Sequence, residues 1–163
     1  AGYASPRRLA IEGGSNGGLL MGTVLTQRPD LFAAVVSHVG IYDMLRVELS
    51  PNGAFNVPEF GSVKDPDQFR ALLAYSPYHH VKDGTAYPPV LLPTGANDPR
   101  VDPMHSRKMA ARLQAATGGR SLVLLRASAS SGHGIGTALD ERIALEADVW
   151  AFLFAQLGVE VRD

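Results

Sequence analysis

Four short, dense apolar runs alternate along this chain with segments whose apolar residues recur every three or four positions. "RRLAIEGG" (7–14) and "LFAAVVSHVG" (31–40) read as strands, and the continuity of the second predicts burial on both faces. "YPPVLLPTGAND" (87–98) and "RSLVLLRAS" (120–128) complete the set. Pro93 stands awkwardly inside the third run, because proline has no N–H to give a ladder. Leu19, Leu20, Val24 and Leu25 mark a helix over 16–30 that stops before Pro29. "DPDQFRALLAYSP" (65–77) reads as a helix with Asp65 as its N-cap and Pro66 in its first turn. "DPMHSRKMAARLQAATGG" (102–119) opens on Asp102-Pro103 and closes on glycines, and 138–158 reads as a long amphipathic helix ending at Gly158. The Pro-, Asn- and Gly-rich stretch 41–61 reads as a long loop, of a length that is usually functional or disordered.

Strands alternating with helices predict an α/β fold, a mostly parallel sheet with helices on both faces. A length of 163 residues with 45% hydrophobic content suits one domain spanning 1–163. Net charge is −1 with no block of like charges, which argues against nucleic acid or an anionic membrane surface as partner. No apolar run approaches the ~18 residues of a membrane span. The absence of cysteine excludes a disulfide framework and a thiolate metal site, and leaves the compartment open. The opening "AGYASPRRLAIEGG" is not a signal peptide and reaches a buried strand within a few residues, so a domain entered partway through is expected.

The candidate chemistry begins at "IEGGSNGGLLMG" (11–22). Gly13-Gly14-Ser15-Asn16-Gly17 fits G-x-S-x-G directly after a strand and directly before a helix, the context of a nucleophile elbow. Side chains at Gly13 or Gly17 are expected to clash there, and the new helix points free N–H groups toward the serine, where negative charge develops in acyl transfer. A phosphate loop fits less well: no lysine follows the glycines, and G-x-G-x-x-G is not matched. In this fold an acid and then a histidine follow the serine in chain order. His133, in "SGHGIG" between the last strand and last helix, is the candidate base, and Asp98, beyond the third strand's C-terminal end, the candidate acid. Asp102 is the rival acid but reads better as a helix cap, and His105 falls inside a helix as a surface or packing residue. His79 and His80 sit in a loop after "YSPY", either lining a site or simply solvated, and His38 ends the second strand near the pocket but reads better as a structural histidine. The rigid fork of Arg100 suits a substrate carbonyl or carboxylate.

With these residues in place, the chain resembles the prolyl oligopeptidase family of serine peptidases, in the C-terminal half of its catalytic α/β-hydrolase domain. The resemblance rests on "SPRRLAIEGGSNGGLLMG", "QRPDLFAAVVSHVGIYDML", "YSPYHHV", "TGANDPRVDPMHSRKMAARLQ" and "GHGIG", in family order. It implies Ser15 as nucleophile, Asp98 as acid and His133 as base. The Asn16 N–H would be one oxyanion donor, and Arg100 would orient a substrate carbonyl. It also implies short peptides as substrates, and neither metal nor organic cofactor. Family members carry a β-propeller or similar domain, earlier hydrolase strands, and an upstream tyrosine that completes the oxyanion hole; none lies in these residues. Where the family stacks a substrate proline on tryptophan, "NGAFNVPEFG" offers Phe55 and Phe60, while the sole tryptophan, Trp150, lies in the last helix. Two other readings stay open: a carboxylesterase or lipase-like enzyme for short-chain esters, and a non-catalytic fragment. In all three, an unpaired sheet edge favours a homo-oligomer.

Overall fold

The computed structural model describes residues 4–117 and 120–160. Four parallel strands lie in the order β1 (Ala10–Gly14), β2 (Ala34–His38), β3 (Val90–Gly95) and β4 (Val123–Ser128). The register pairs Gly14 with His38, Val36 with Leu91, and Gly95 with Ser128. Helices α1 (Asn16–Gln27) and α5 (Met104–Thr117) cover one face, where Leu25, Met109 and Leu113 bury against Val35, Val90 and Leu92. Helix α6 (Leu139–Leu157) covers the other, laying Val149, Phe152 and Leu153 on Ala34, Val36 and Leu91. The central strands are thus apolar on both sides, as their unbroken runs require.

Several local expectations change. The stretch 41–61 is not simply a loop: after a single 3-10 turn at Val47–Leu49 it forms helix α2 (Gly53–Phe60). Pro58 lies inside α2, and the helix stops at Gly61, whose N–H bonds the Val57 carbonyl at 2.8 Å and whose φ is +95°. The predicted helix 65–77 breaks at Ser76, giving α3 (Pro66–Tyr75) and a one-turn α4 (Pro77–His80) that places His79 and His80 in a helix rather than a loop. Pro77 causes the break, since the residue before proline is pushed out of the helical region, and Ser76 has ψ 109°. Asp65 caps α3 through the Asp67 and Gln68 amides, and Asp102 accepts the Met104 amide at 2.8 Å. The glycines read as the end of α5 lie outside the described residues. Pro93 is accommodated because its carbonyl accepts the Val39 N–H, so its nitrogen also faces β2, and the β2–β3 ladder has ended by Leu91.

Candidate active site

Ser15 stands at the corner between β1 and α1 with φ 59° and ψ −119°, a positive-φ conformation rare for a residue with a side chain. Such strain costs about 1–3 kcal/mol and persists only where neighbours enforce it. Here the Ser15 N–H donates to the His38 carbonyl at 2.9 Å, and the Ser15 carbonyl accepts the Leu19 N–H at 3.0 Å. The glycine expectation is half corrected. A Cβ at Gly13 would lie 2.8 Å from the Gly17 carbonyl oxygen, but one at Gly17 would meet nothing within 4 Å. The second tight position is Gly18, whose Cβ would fall 2.6 Å from the Gly40 Cα where α1 presses on the loop after β2.

The other two residues arrive on loops stitched to each other. Ala96 N–H bonds the Ser128 carbonyl at 2.8 Å, and Asn97 N–H bonds Ser131 at 3.1 Å, which docks the loop after β3 against the loop after β4. Gly95 allows the approach, since a Cβ there would sit 2.3 Å from the Gly132 oxygen. Asp98 and His133 are thereby brought together. His133 Nδ1 lies 2.7 Å from Asp98 Oδ2, and His133 Nε2 lies 3.0 Å from Ser15 Oγ. Asp98 is buried, and its other oxygen accepts the Arg100 and Val101 amides at 2.8 and 3.0 Å. Asn16 opens α1, so its amide has no carbonyl one turn back within the helix and remains available beside Ser15.

Ser15 and Asn16 border a cleft of about 210 Å³. Ile41 and Val101, both buried, supply apolar surface to it, and Arg100 lines it as well. Helix α2 brings Phe55, Asn56, Glu59 and Phe60 to the same cleft. Phe60 packs on a buried cluster that includes Ile41 and Val101, while Phe55 is 80% exposed. The predicted residues therefore converge. Ile41, Asn52, Asn56, Glu59 and Val101 were missed, and only reading 53–60 as helical would have put positions 52, 56, 59 and 60 on one side. His133 also borders a cavity of about 190 Å³ on the α6 side with His38, Thr137 and Leu145, which Ser15 does not reach.

Three other histidines bond to neighbouring scaffold residues. His38 pairs with Glu12 at 2.8 Å, and His79 bonds the Ser76 hydroxyl at 2.8 Å. His105 is buried, and its Nδ1 accepts the Tyr42 and Asp43 amides at 3.2 and 3.1 Å. Burial works to raise the Asp43 carboxyl, but the bonded Lys108 ammonium, with His79 and Arg46 close by, outweighs it and holds the group below its ordinary value. Burial pushes His105 down to about 4 from 6.5, so its contribution to stability is complete above pH 6.5 and lost as pH falls toward 4. That loss is expected to be about 3 kcal/mol, read as a fall in urea midpoint between pH 7 and 4.5. His105→Asn keeps an acceptor and removes the titration, so it should flatten this dependence. An equal acid loss in the variant would assign the effect to other groups.

A parallel sheet whose strand turns through a strained serine into a helix, with an acid and a histidine delivered by the next strand ends, defines the α/β-hydrolase class. Within it, the chain matches the prolyl oligopeptidase family (Peptidase_S9) over residues 1–160, and it belongs to that family. It is 43% identical over 162 residues to a prolyl endopeptidase of Dictyostelium discoideum, covering 98% of this chain and 21% of that protein. A prolyl endopeptidase of Elizabethkingia meningoseptica is 38% identical over 160 residues, with 98% and 23% covered. A structure from a study of two prolyl endopeptidases superposes with a TM-score of 0.93 at 46% identity, over 97% of this chain and 23% of that one. The chain thus spans between a fifth and a quarter of the length of these relatives.

Proposed function

We propose that Ser15, His133 and Asp98 form the catalytic triad of a serine peptidase that cleaves short peptides by acyl transfer. The observation that carries the reading is the unbroken connection from Ser15 Oγ through both His133 nitrogens to Asp98, at 3.0 and 2.7 Å. His133 Nε2 takes the Ser15 proton as Oγ attacks the peptide carbonyl, and Asp98 holds Nδ1–H and stabilises the imidazolium. The oxyanion develops beside the Asn16 N–H, at the positive end of α1. His133 returns its proton to the leaving amine, and water then releases the acyl group from Ser15. Arg100 orients a substrate carbonyl, and Phe55 and Phe60 receive the side chain next to the scissile bond. No step calls for a metal or an organic cofactor.

The relatives' name, prolyl endopeptidase, makes a prolyl-amide chromogenic peptide the first substrate to try, beside a short-chain nitrophenyl ester. Turnover of both, lost in Ser15→Ala, is expected. Turnover of the ester alone would favour the carboxylesterase or lipase-like reading, and turnover of neither a non-catalytic role. The proposal includes self-association through an outer strand, since β1 and β4 each pair on one side only among the described residues.

A further inference from the structure

Helix α2 supplies four of the residues around the Ser15 cleft, yet it buries little of itself: Gly53 is its one fully buried residue. Gly53 packs against the neighbouring turn, where a Cβ would meet the Val47 and Glu48 backbone at 2.3–2.4 Å. Its polar ties to distant parts of the chain run to the catalytic loops. At its C-terminal end, Glu59 Oε1 accepts the side-chain N–H of Asn16, the residue after the nucleophile, at 2.9 Å. At the N-terminal end, the Asn52 side chain donates to the carbonyl of Arg100, two residues beyond Asp98, at 3.4 Å. The Arg100 amide holds Asp98 on the same stretch of backbone.

We propose that α2 is a specificity wall clamped across the cleft by these two contacts, with Glu59 and Asn52 as positioning residues. The inference rests on the reading that Ser15 is the nucleophile and that this cleft holds the acyl part of the substrate. The two hydrogen bonds make the distance from Phe55, Asn56 and Phe60 to Ser15 a property of the catalytic loops themselves, rather than of a weakly buried helix. A substrate long enough to touch α2 gains from the clamp, whereas an acetyl group, only two carbons long, offers α2 far less surface to hold. Glu59 offers a carboxylate to a neutral amide, and a glutamine there presents a carbonyl oxygen to the same N–H. The contact is exposed, so its effect is modest.

The test compares a chromogenic peptide amide with nitrophenyl acetate in the intact protein, for wild type, Glu59→Ala, Glu59→Gln and Asn52→Ala. Glu59→Ala should raise the peptide KM and lower the ratio of peptide to acetate kcat/KM by about 3- to 10-fold, as expected for one exposed hydrogen bond. Glu59→Gln should keep most of the wild-type ratio, and Asn52→Ala should shift it in the same direction by less. The clamp is overturned if Glu59→Ala leaves the ratio unchanged, or if Glu59→Gln is as impaired as Glu59→Ala. Wild type that turns over neither substrate would remove the underlying reading, which is a different result from active wild type with an unresponsive Glu59→Ala.

Discussion

Replacing His133 with alanine is expected to lower peptide turnover by about 10⁴–10⁶-fold, and Ser15→Ala by a similar factor. The two should not add. Nε2 is 3.0 Å from Oγ, so the imidazole is the group placed to take the hydroxyl proton, and without it Ser15 is an ordinary alcohol. The double variant should therefore be about as slow as either single one. Fluorophosphonate labelling should follow the same pattern, because phosphonylation needs the same activated oxygen. His105→Asn is the useful contrast: it perturbs a buried scaffold histidine and should leave labelling of the folded protein in place. Loss of labelling in His105→Asn with retention in His133→Ala would reverse the assignment of the base.

Asp98→Asn should cost about 10⁴-fold in kcat, with little change in fold, and the hydrogen bonds around Asp98 say why. Oδ1 accepts two backbone amides, from Arg100 and Val101. An asparagine must keep its carbonyl oxygen there, so its NH₂ is forced toward His133 Nδ1, the position 2.7 Å from Oδ2. Nδ1 then becomes an acceptor and Nε2 carries the proton, leaving no lone pair to take the one on Ser15. Asp102→Asn should leave turnover nearly intact, since among the described residues its side chain holds the Met104 amide and nothing of His133 or Ser15. Comparable losses at both positions would mean that disturbing the loop after β3, rather than the His133 tautomer, sets the rate.

Much of this site was legible because its parts announce themselves locally. Glycines around one serine between a strand and a helix, then an acid and a histidine beyond later strands, give the chain order of the fold without any distance. Asp102-Pro103 was readable as a helix cap for the same reason, since capping is decided within a few residues. What failed was decided by contacts across the chain or by position in a ladder. Gly17 looked as crowded as Gly13, yet its Cβ direction is open, and the crowding falls on Gly18 because the loop at Gly40 comes back against it. Pro93 looked wrong for a core strand, and becomes ordinary once its missing N–H is seen to fall on the β2 side, past the last paired position at Leu91, while its carbonyl still bonds Val39. Helix α2 was hidden by Asn52, Gly53 and Pro58, each of which argues for a loop on propensity. Its register, and so the pairing of Glu59 with Asn16, comes from packing on the turn at Val47–Leu49 and on Phe60's buried cluster.

The central claim is that Ser15 is a nucleophile activated by His133. Its most direct test is fluorophosphonate labelling followed by mass mapping of the modified residue in wild type, Ser15→Ala and His133→Ala. The account predicts one adduct per chain on Ser15 in wild type, and none in either variant. An adduct formed equally in Ser15→Ala, or mapped to any other residue, would contradict it.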